Sequence, residues 1–403
     1  METAYSLSLV ETLAIAATGL FIGQLLVRKT AVLQRLCLPE PVIGGLLLCV
    51  VFTVARSSGL ALQFDTSLQT PLMIAFFLSI GWMASLKNLR RGGPAVLKFL
   101  LICSGVLVIQ NMIGVGVAKL LGQSPLLGLL AGSVSLTGGP GTALAFAPAF
   151  ENAGVTSAGS IGTACALAGI ILGGLLGSPT AASLLKKIKS SSSVKLPPQN
   201  LASDQSLSLD AADGKTLDTS HFSLHFSFFV IVMAIGTILG KWIQATGLTL
   251  PIYIGSMIVA AIIRNIHDSR EGRAFSEHWI DEIGSVALSY FLVVATMTLQ
   301  LQQLASLAGV LLVILAIQTL VVLLIASTVV FRASGQDYDA AVISGGFIGF
   351  MLGTTANALA NMDAMTSRHG AAPRAYLVVP LVGACFIDFI NALVITFSIP
   401  LLS

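Results

Sequence analysis

The sequence predicts an all-α polytopic membrane protein: ten transmembrane helices in two inverted five-helix repeats, each with a Gly-rich re-entrant loop between its fourth and fifth helices. Three observations carry this reading. The 403 residues are 55% hydrophobic and only 10% charged, against about 25% charged in soluble domains. Apolar runs near the ~20 residues that span a bilayer as helix recur along the chain. The basic residues, finally, fall almost entirely on one side of the resulting topology.

Taken in order, the first span runs from about Leu7 to Val27 and stops at Arg28 and Lys29. The second runs from about Pro41 to Val54, entered through Leu38-Pro-Glu-Pro-Val42, the third from about Leu68 to Leu86, and the fourth from about Ala95 to Ala118. The stretch 125–150 follows, with Leu-Thr-Gly-Gly-Pro-Gly-Thr at 136–142. Glycine and proline break the hydrogen-bond ladder, and the freed amides cannot face hydrocarbon, so this stretch must be buried in protein or line a wet cavity. Each flank is too short to span, which predicts two half-helices that dip in and return. A fifth span, about Ser160 to Leu185, closes an N-terminal repeat over 1–185.

Residues 186–224 turn to Lys, Ser, Asp, Gln and Pro and read as a cytoplasmic linker. In the C-terminal repeat, 225–403, spans six to nine lie near Phe226 to Ala245, Thr249 to Ile263, Ile283 to Leu299 and Leu304 to Phe331. The second glycine stretch lies within a re-entrant loop at 338–366, and the last span is about Tyr376 to Ile399. Echoes in common order relate the halves: Leu-Pro-Glu-Pro-Val-Ile-Gly at 38–44 and Leu-Pro-Ile-Tyr-Ile-Gly at 250–255, Ile109-Gln110 and Ile317-Gln318, Gly122-Gln123 and Gly335-Gln336. Five spans is an odd number, so the halves enter from opposite sides. With both termini outside, 18 of the 21 Lys and Arg are cytoplasmic, leaving Arg56, Lys119 and Lys241 outside. The two loops then dip from opposite faces and can meet near the midplane, as alternating access requires.

Asp388, within Cys-Phe-Ile-Asp-Phe-Ile-Asn near the centre of the last span, is costly in lipid without a partner or a function. With Asn391 on its helix face it reads as a cation ligand or a counter-ion to a substrate ammonium; the alternative is an interhelical hydrogen bond. Gln110 and Gln318 occupy matching places and join this set as Na⁺ ligands, the alternative being interhelical glue. The candidate substrate site is Ser135, Thr137, Gly138, Gly139, Gly141 and Thr142 of the first loop with Gly349, Gly353, Thr354, Thr355, Asn357 and Asn361 of the second. Half-helix N-termini suit anions and unwound carbonyls suit Na⁺. No Arg or Lys lies deep in a span, so an anionic substrate would be held by dipoles and hydroxyls.

Other classes find little support. There is no HExxH, no GxSxG, no carboxylate pair on one helix and no Walker sequence, so neither an enzyme nor an ATP-driven pump is expected. The five scattered cysteines read as small buried hydrophobes, and nothing suggests nucleic acid or an organic cofactor.

Leu38-Pro-Glu-Pro-Val, the two glycine loops, Ala360-Asn-Met, Val378-Val-Pro-Leu-Val-Gly and Phe386-Ile-Asp-Phe-Ile-Asn-Ala-Leu-Val394 together resemble the bacterial sodium/glutamate symporter family over nearly the whole chain. The resemblance implies Na⁺-coupled uptake of L-glutamate across an inner membrane, a homodimer in the bilayer, and an elevator-like movement of a domain carrying both loops. Another dicarboxylate or amino acid, or a substrate-gated channel or sensor, is the alternative. Two positions depart from a family member: Pro140 stands where it has histidine, and Gly349-Phe350-Met351 where it has Gly-Phe-Gly.

Overall fold

The computed structural model describes residues 3–57, 60–191, 219–245, 251–269, 276–299 and 304–402. Fourteen principal helices are numbered here. They are α1 (Leu9–Lys29), α2 (Glu40–Ser57), α3 (Gln69–Met83), α4 (Gly93–Leu120), α5 (Pro125–Val134), α6 (Gly139–Asn152) and α7 (Ala158–Ser191). The second half supplies α8 (Thr219–Ala245), α9 (Ile252–Ser269), α10 (Glu277–Met297), α11 (Leu304–Ile325, continuing to Ala333), α12 (Tyr338–Met351), α13 (Thr355–His369) and α14 (Pro373–Leu402).

Among the described residues, eight helices are long and apolar enough to cross a membrane: α1, α3 with its short extension, α4, α7, α8, α10, α11 and α14. The chain is a multi-pass membrane protein. The second and seventh expected spans form as the 18-residue helices α2 and α9 but lie outside that set, α9 because Arg264, His267 and Asp268 close it.

Two details differ from the expectation. The all-α reading misses a two-stranded parallel ribbon, β1 (Thr3–Ser6) on β2 (Leu60–Gln63), which ties the start of the chain to the loop after α2. Helix also continues into both ends of the expected linker, α7 to Ser191 and α8 from Thr219; residues 192–218 lie outside the described set.

The helices sort into two groups. In the first, α1 packs on α2 and α10, α2 on α10, α3 on α9 and α10, and α8 on α9, α10 and α3. The second contains α4–α7 and α11–α14, with α7 packed along α12 and α13, and α4 against α5 and α14. Between the groups α10 meets α6 and α7, while α14 meets α3 and α9.

The halves use the same local devices. Gly44 and Gly19 bring α1 and α2 together so closely that a Cβ on Gly44 would lie 2.0 Å from the Gly19 carbonyl oxygen. A Cβ on Gly255 of α9 would lie 2.2 Å from the Gly236 carbonyl oxygen of α8. Small residues let membrane helices approach to this degree. The Gly-Gln echo also acquires a cause. Gly122 and Gly335 adopt φ of 68° and 108°, and Gln123 N donates to Ala118 O as Gln336 N donates to Phe331 O, so one left-handed cap ends α4 and α11 alike.

Candidate functional site between two interrupted helices

Both glycine stretches form helix–break–helix units. In the first, α5 passes through a π-turn at Leu130–Val134 with Gly132 out of helical conformation, and the chain restarts at Gly139 (φ 67°). Pro140 occupies the first turn of α6, where its missing N–H is no loss. In the second, α12 ends at Met351 and Thr354 caps α13 by accepting from Asn357 N at 3.4 Å. At about 21 and 22 Å, α6 and α13 are shorter than the ~30 Å hydrocarbon core.

The two breaks meet. A Cβ on Gly139 would lie 3.8 Å from Thr354 Cγ2. Gln110, fully buried on α4, joins them: its Nε2 donates to the Met351 carbonyl oxygen at 2.9 Å and its Oε1 accepts from Thr137 Oγ1 at 2.8 Å. Thr137 Oγ1 lies 3.2 Å from the same carbonyl. Because Met351 contributes its main chain, its departure from Gly-Phe-Gly leaves this bond in place. Gln318 Nε2 donates to the Gln110 carbonyl oxygen at 2.6 Å, while Gln318 Oε1 is buried without a partner among the described residues.

On the first break, Ser133 Oγ donates to Asn391 Oδ1 at 2.7 Å and Asn391 Nδ2 donates back to Ser133 O at 3.0 Å; Ser133 N donates to Asn111 Oδ1. Ser135 Oγ turns back to Leu130 O at 2.6 Å. On the second, Asn357 Nδ2 donates to Ile170 O at 2.8 Å and Asn361 Nδ2 to Gly173 O at 2.9 Å, while Ser178 N donates to Asn361 Oδ1. These asparagines bolt α13 to α7. Gly349 and Gly353 are packing glycines too: a Cβ would lie 2.6 Å from Asn361 Nδ2 in one case and 2.8 Å from Gly349 O in the other. Gly138 is closed in by Val134 O and Thr142 at 2.6 Å.

Of the expected substrate set, the hydroxyls of Thr142 and Thr355 make no hydrogen bond among the described residues. They stand in the first turns of α6 and α13, beside the positive ends of both helices, where an anion is favoured. The expected cation set divides. Gln110, Gln318 and Asn391 belong to the network around the breaks, whereas Asp388 shares no hydrogen bond or ion pair with any described residue. It is half-buried and directly follows the π-turn Gly383–Ile387, a distortion often found at functional sites.

Sequence reasoning missed the residues facing these breaks from the first helix group. A Cβ on Gly141 would lie 3.1 Å from Leu288 and 3.5 Å from Phe76, and Tyr253 packs against Phe146. Nothing in spacing marks an aromatic on one span as the neighbour of a loop a hundred residues away.

A multi-pass helical membrane protein with a buried polar site where two interrupted helices meet is the class defined so far. The family model of the sodium/glutamate symporter matches residues 5–371. The sodium/glutamate symporter of Escherichia coli (strain K12) is 40% identical over 396 residues, 97% of each chain. That of Haemophilus influenzae is 38% identical over 397 residues, 98% of each chain. The chain belongs to the sodium/glutamate symporter family, and is thus a transporter and not an enzyme.

Proposed function

We propose that the protein carries L-glutamate into the cell together with Na⁺, by alternating access at the site where the interrupted helices meet. Family membership supports the substrate and the coupling ion. The observation that carries the mechanism is the buried junction of Thr137, Gln110 and Met351, with the free hydroxyls of Thr142 and Thr355 at adjoining helix N-termini. Those ends supply the positive potential that a dicarboxylate needs where no Arg or Lys is at hand. Asp388, Asn391, Gln110 and Gln318 form the Na⁺ set, with Gln318 Oε1 and the Asp388 carboxylate as its uncommitted oxygens.

In this reading α2 and α9 complete ten spans, 125–150 and 338–366 are re-entrant, and the halves are inverted repeats. The matched glycine contacts and Gly-Gln caps support the repeat. The second helix group, holding both breaks, moves as an elevator against the first, in a homodimer of the inner membrane with both termini outside and the linker cytoplasmic. Uptake of labelled L-glutamate into proteoliposomes under an imposed Na⁺ gradient tests the coupling. Uptake that survives collapse of the gradient rejects it. Competition by unlabelled dicarboxylates and amino acids tests the substrate.

A further inference from the structure

We propose that Tyr253 of α9 is a substrate-positioning residue that donates its phenolic hydrogen to a carboxylate of L-glutamate; this rests on the function proposed above. Tyr253 is 2% exposed, and its hydroxyl has no hydrogen-bond partner among the described residues. A buried hydroxyl without an acceptor is costly and uncommon, so its retention requires an explanation. The surroundings supply none. The ring stacks on Phe77 of α3 with centroids 4.4 Å apart and meets Phe146 of α6 edge-on at 5.3 Å. Those neighbours secure the ring and offer no oxygen.

The position connects the ring to the candidate site. Phe146 and Thr142 are four residues apart on α6 and share a helix face. At Phe146 that face is turned to the seam between the helix groups, since its ring meets Phe77 of α3 and Tyr253 of α9 there. Tyr253, on the first helix group, therefore packs against the residue that lies one helical turn along α6 from the uncommitted Thr142. Apart from Thr355, the other hydroxyls and side-chain amides expected to hold an anion, those of Ser135, Thr137, Thr354, Asn357 and Asn361, are engaged within the protein. The described neighbours of Phe146 in this seam, Phe77 and Tyr253, carry no cation, so a dicarboxylate there requires donors, which a phenol supplies.

Tyr253→Phe removes the oxygen and keeps the ring. Wild-type protein and the variant are compared in proteoliposome uptake and in detergent by L-glutamate-dependent thermal shift with Na⁺ present. Loss of a hydrogen bond to a carboxylate raises KM roughly tenfold with maximal rate within about twofold. The melting temperature without glutamate stays the same or rises, because no protein bond is lost, and the glutamate-induced shift shrinks. A lower melting temperature with unchanged KM marks a packing role and overturns the assignment, as does a variant that matches wild type in every readout. Tyr253→Leu, which removes the ring too, is then expected to lower the melting temperature without a larger KM effect; a much larger one would mean that the ring, not the oxygen, contacts substrate. Absence of any wild-type response to L-glutamate overturns the functional reading itself, and this inference with it.

Discussion

The two interrupted helices look alike in sequence and are held in different ways. The second is fastened along its length and at its base. Asn357 and Asn361 bind it to α7, Tyr338 Oη donates to Gly370 O at 2.5 Å, and Arg374 bonds Asp337 while its amide and that of Ala375 donate to Asp339. Burial pushes the Asp339 carboxyl above its usual range, against those amides and the Arg374 charge. The first is tied near its break, through Ser133, Ser135 and Thr137, and its outer arm leans on the other helix group through Gly141 and Phe146. The second is therefore a bolted frame, and the first is the wall that meets the seam across which the groups would move. From sequence the second stretch promises more side-chain chemistry, being followed by the span that carries Asp388 and Asn391; in the fold its own asparagines, Asn357 and Asn361, are fasteners.

The largest effect is expected where the two are joined. Gln110→Ala removes two buried side-chain hydrogen bonds and leaves the Met351 carbonyl and the Thr137 hydroxyl to find each other, costing about 2–4 kcal/mol. Glutamate uptake should be lost and the melting temperature lowered. Gln318→Leu breaks one bond, so its melting temperature should fall by less, while half-saturating Na⁺ rises if the free oxygen is a ligand. Equal loss of stability in the two variants would remove the special status of Gln110.

Next comes Asp388. It contributes no hydrogen bond or ion pair to the described structure, so Asp388→Asn should leave the melting temperature unchanged or raised and weaken the Na⁺ dependence of uptake. A wild-type Na⁺ response would end its assignment as a ligand. Thr142→Val and Thr355→Val follow. Each keeps shape and deletes a free hydroxyl, so KM for glutamate should rise about three- to tenfold with little change in stability. If only Thr142→Val acts, the wall is the substrate-bearing side and the frame is not.

Eight of the spans and both helix interruptions were legible because each is a local property: run length, and Gly and Pro placement. The Gly-Gln echo marked a real backbone device, the left-handed cap ending α4 and α11. What polar side chains bind was not legible. Gln110 and Met351 are 241 residues apart, and Ser133 and Asn391 are 258 apart, so periodicity carries no signal of either contact. The sorting of helices into two groups escaped for the same reason. The β1–β2 ribbon escaped because four-residue strands are too short to show an alternation.

The smallest effect concerns the base of the frame, where two roles of one residue can be separated. Asp337 Oδ1 accepts from Arg374 at 2.5 Å and also caps α12 by accepting from Ala340 N at 2.9 Å. The ion pair is half-exposed, with side chains 39% and 47% accessible, so it contributes at most about 1 kcal/mol and less in high salt. Asp337→Asn keeps an oxygen for the cap and loses the pair. Asp337→Ala loses both, and a cap is typically another ~1 kcal/mol. Hydrogen exchange of the α12 amides should thus be slightly faster than wild type in the Asn variant and clearly faster in the Ala variant, with salt narrowing the first difference and not the second. If the Asn variant already frees α12 and alters transport, the base clamp controls the second interruption, and the contrast between a fixed frame and a working wall fails.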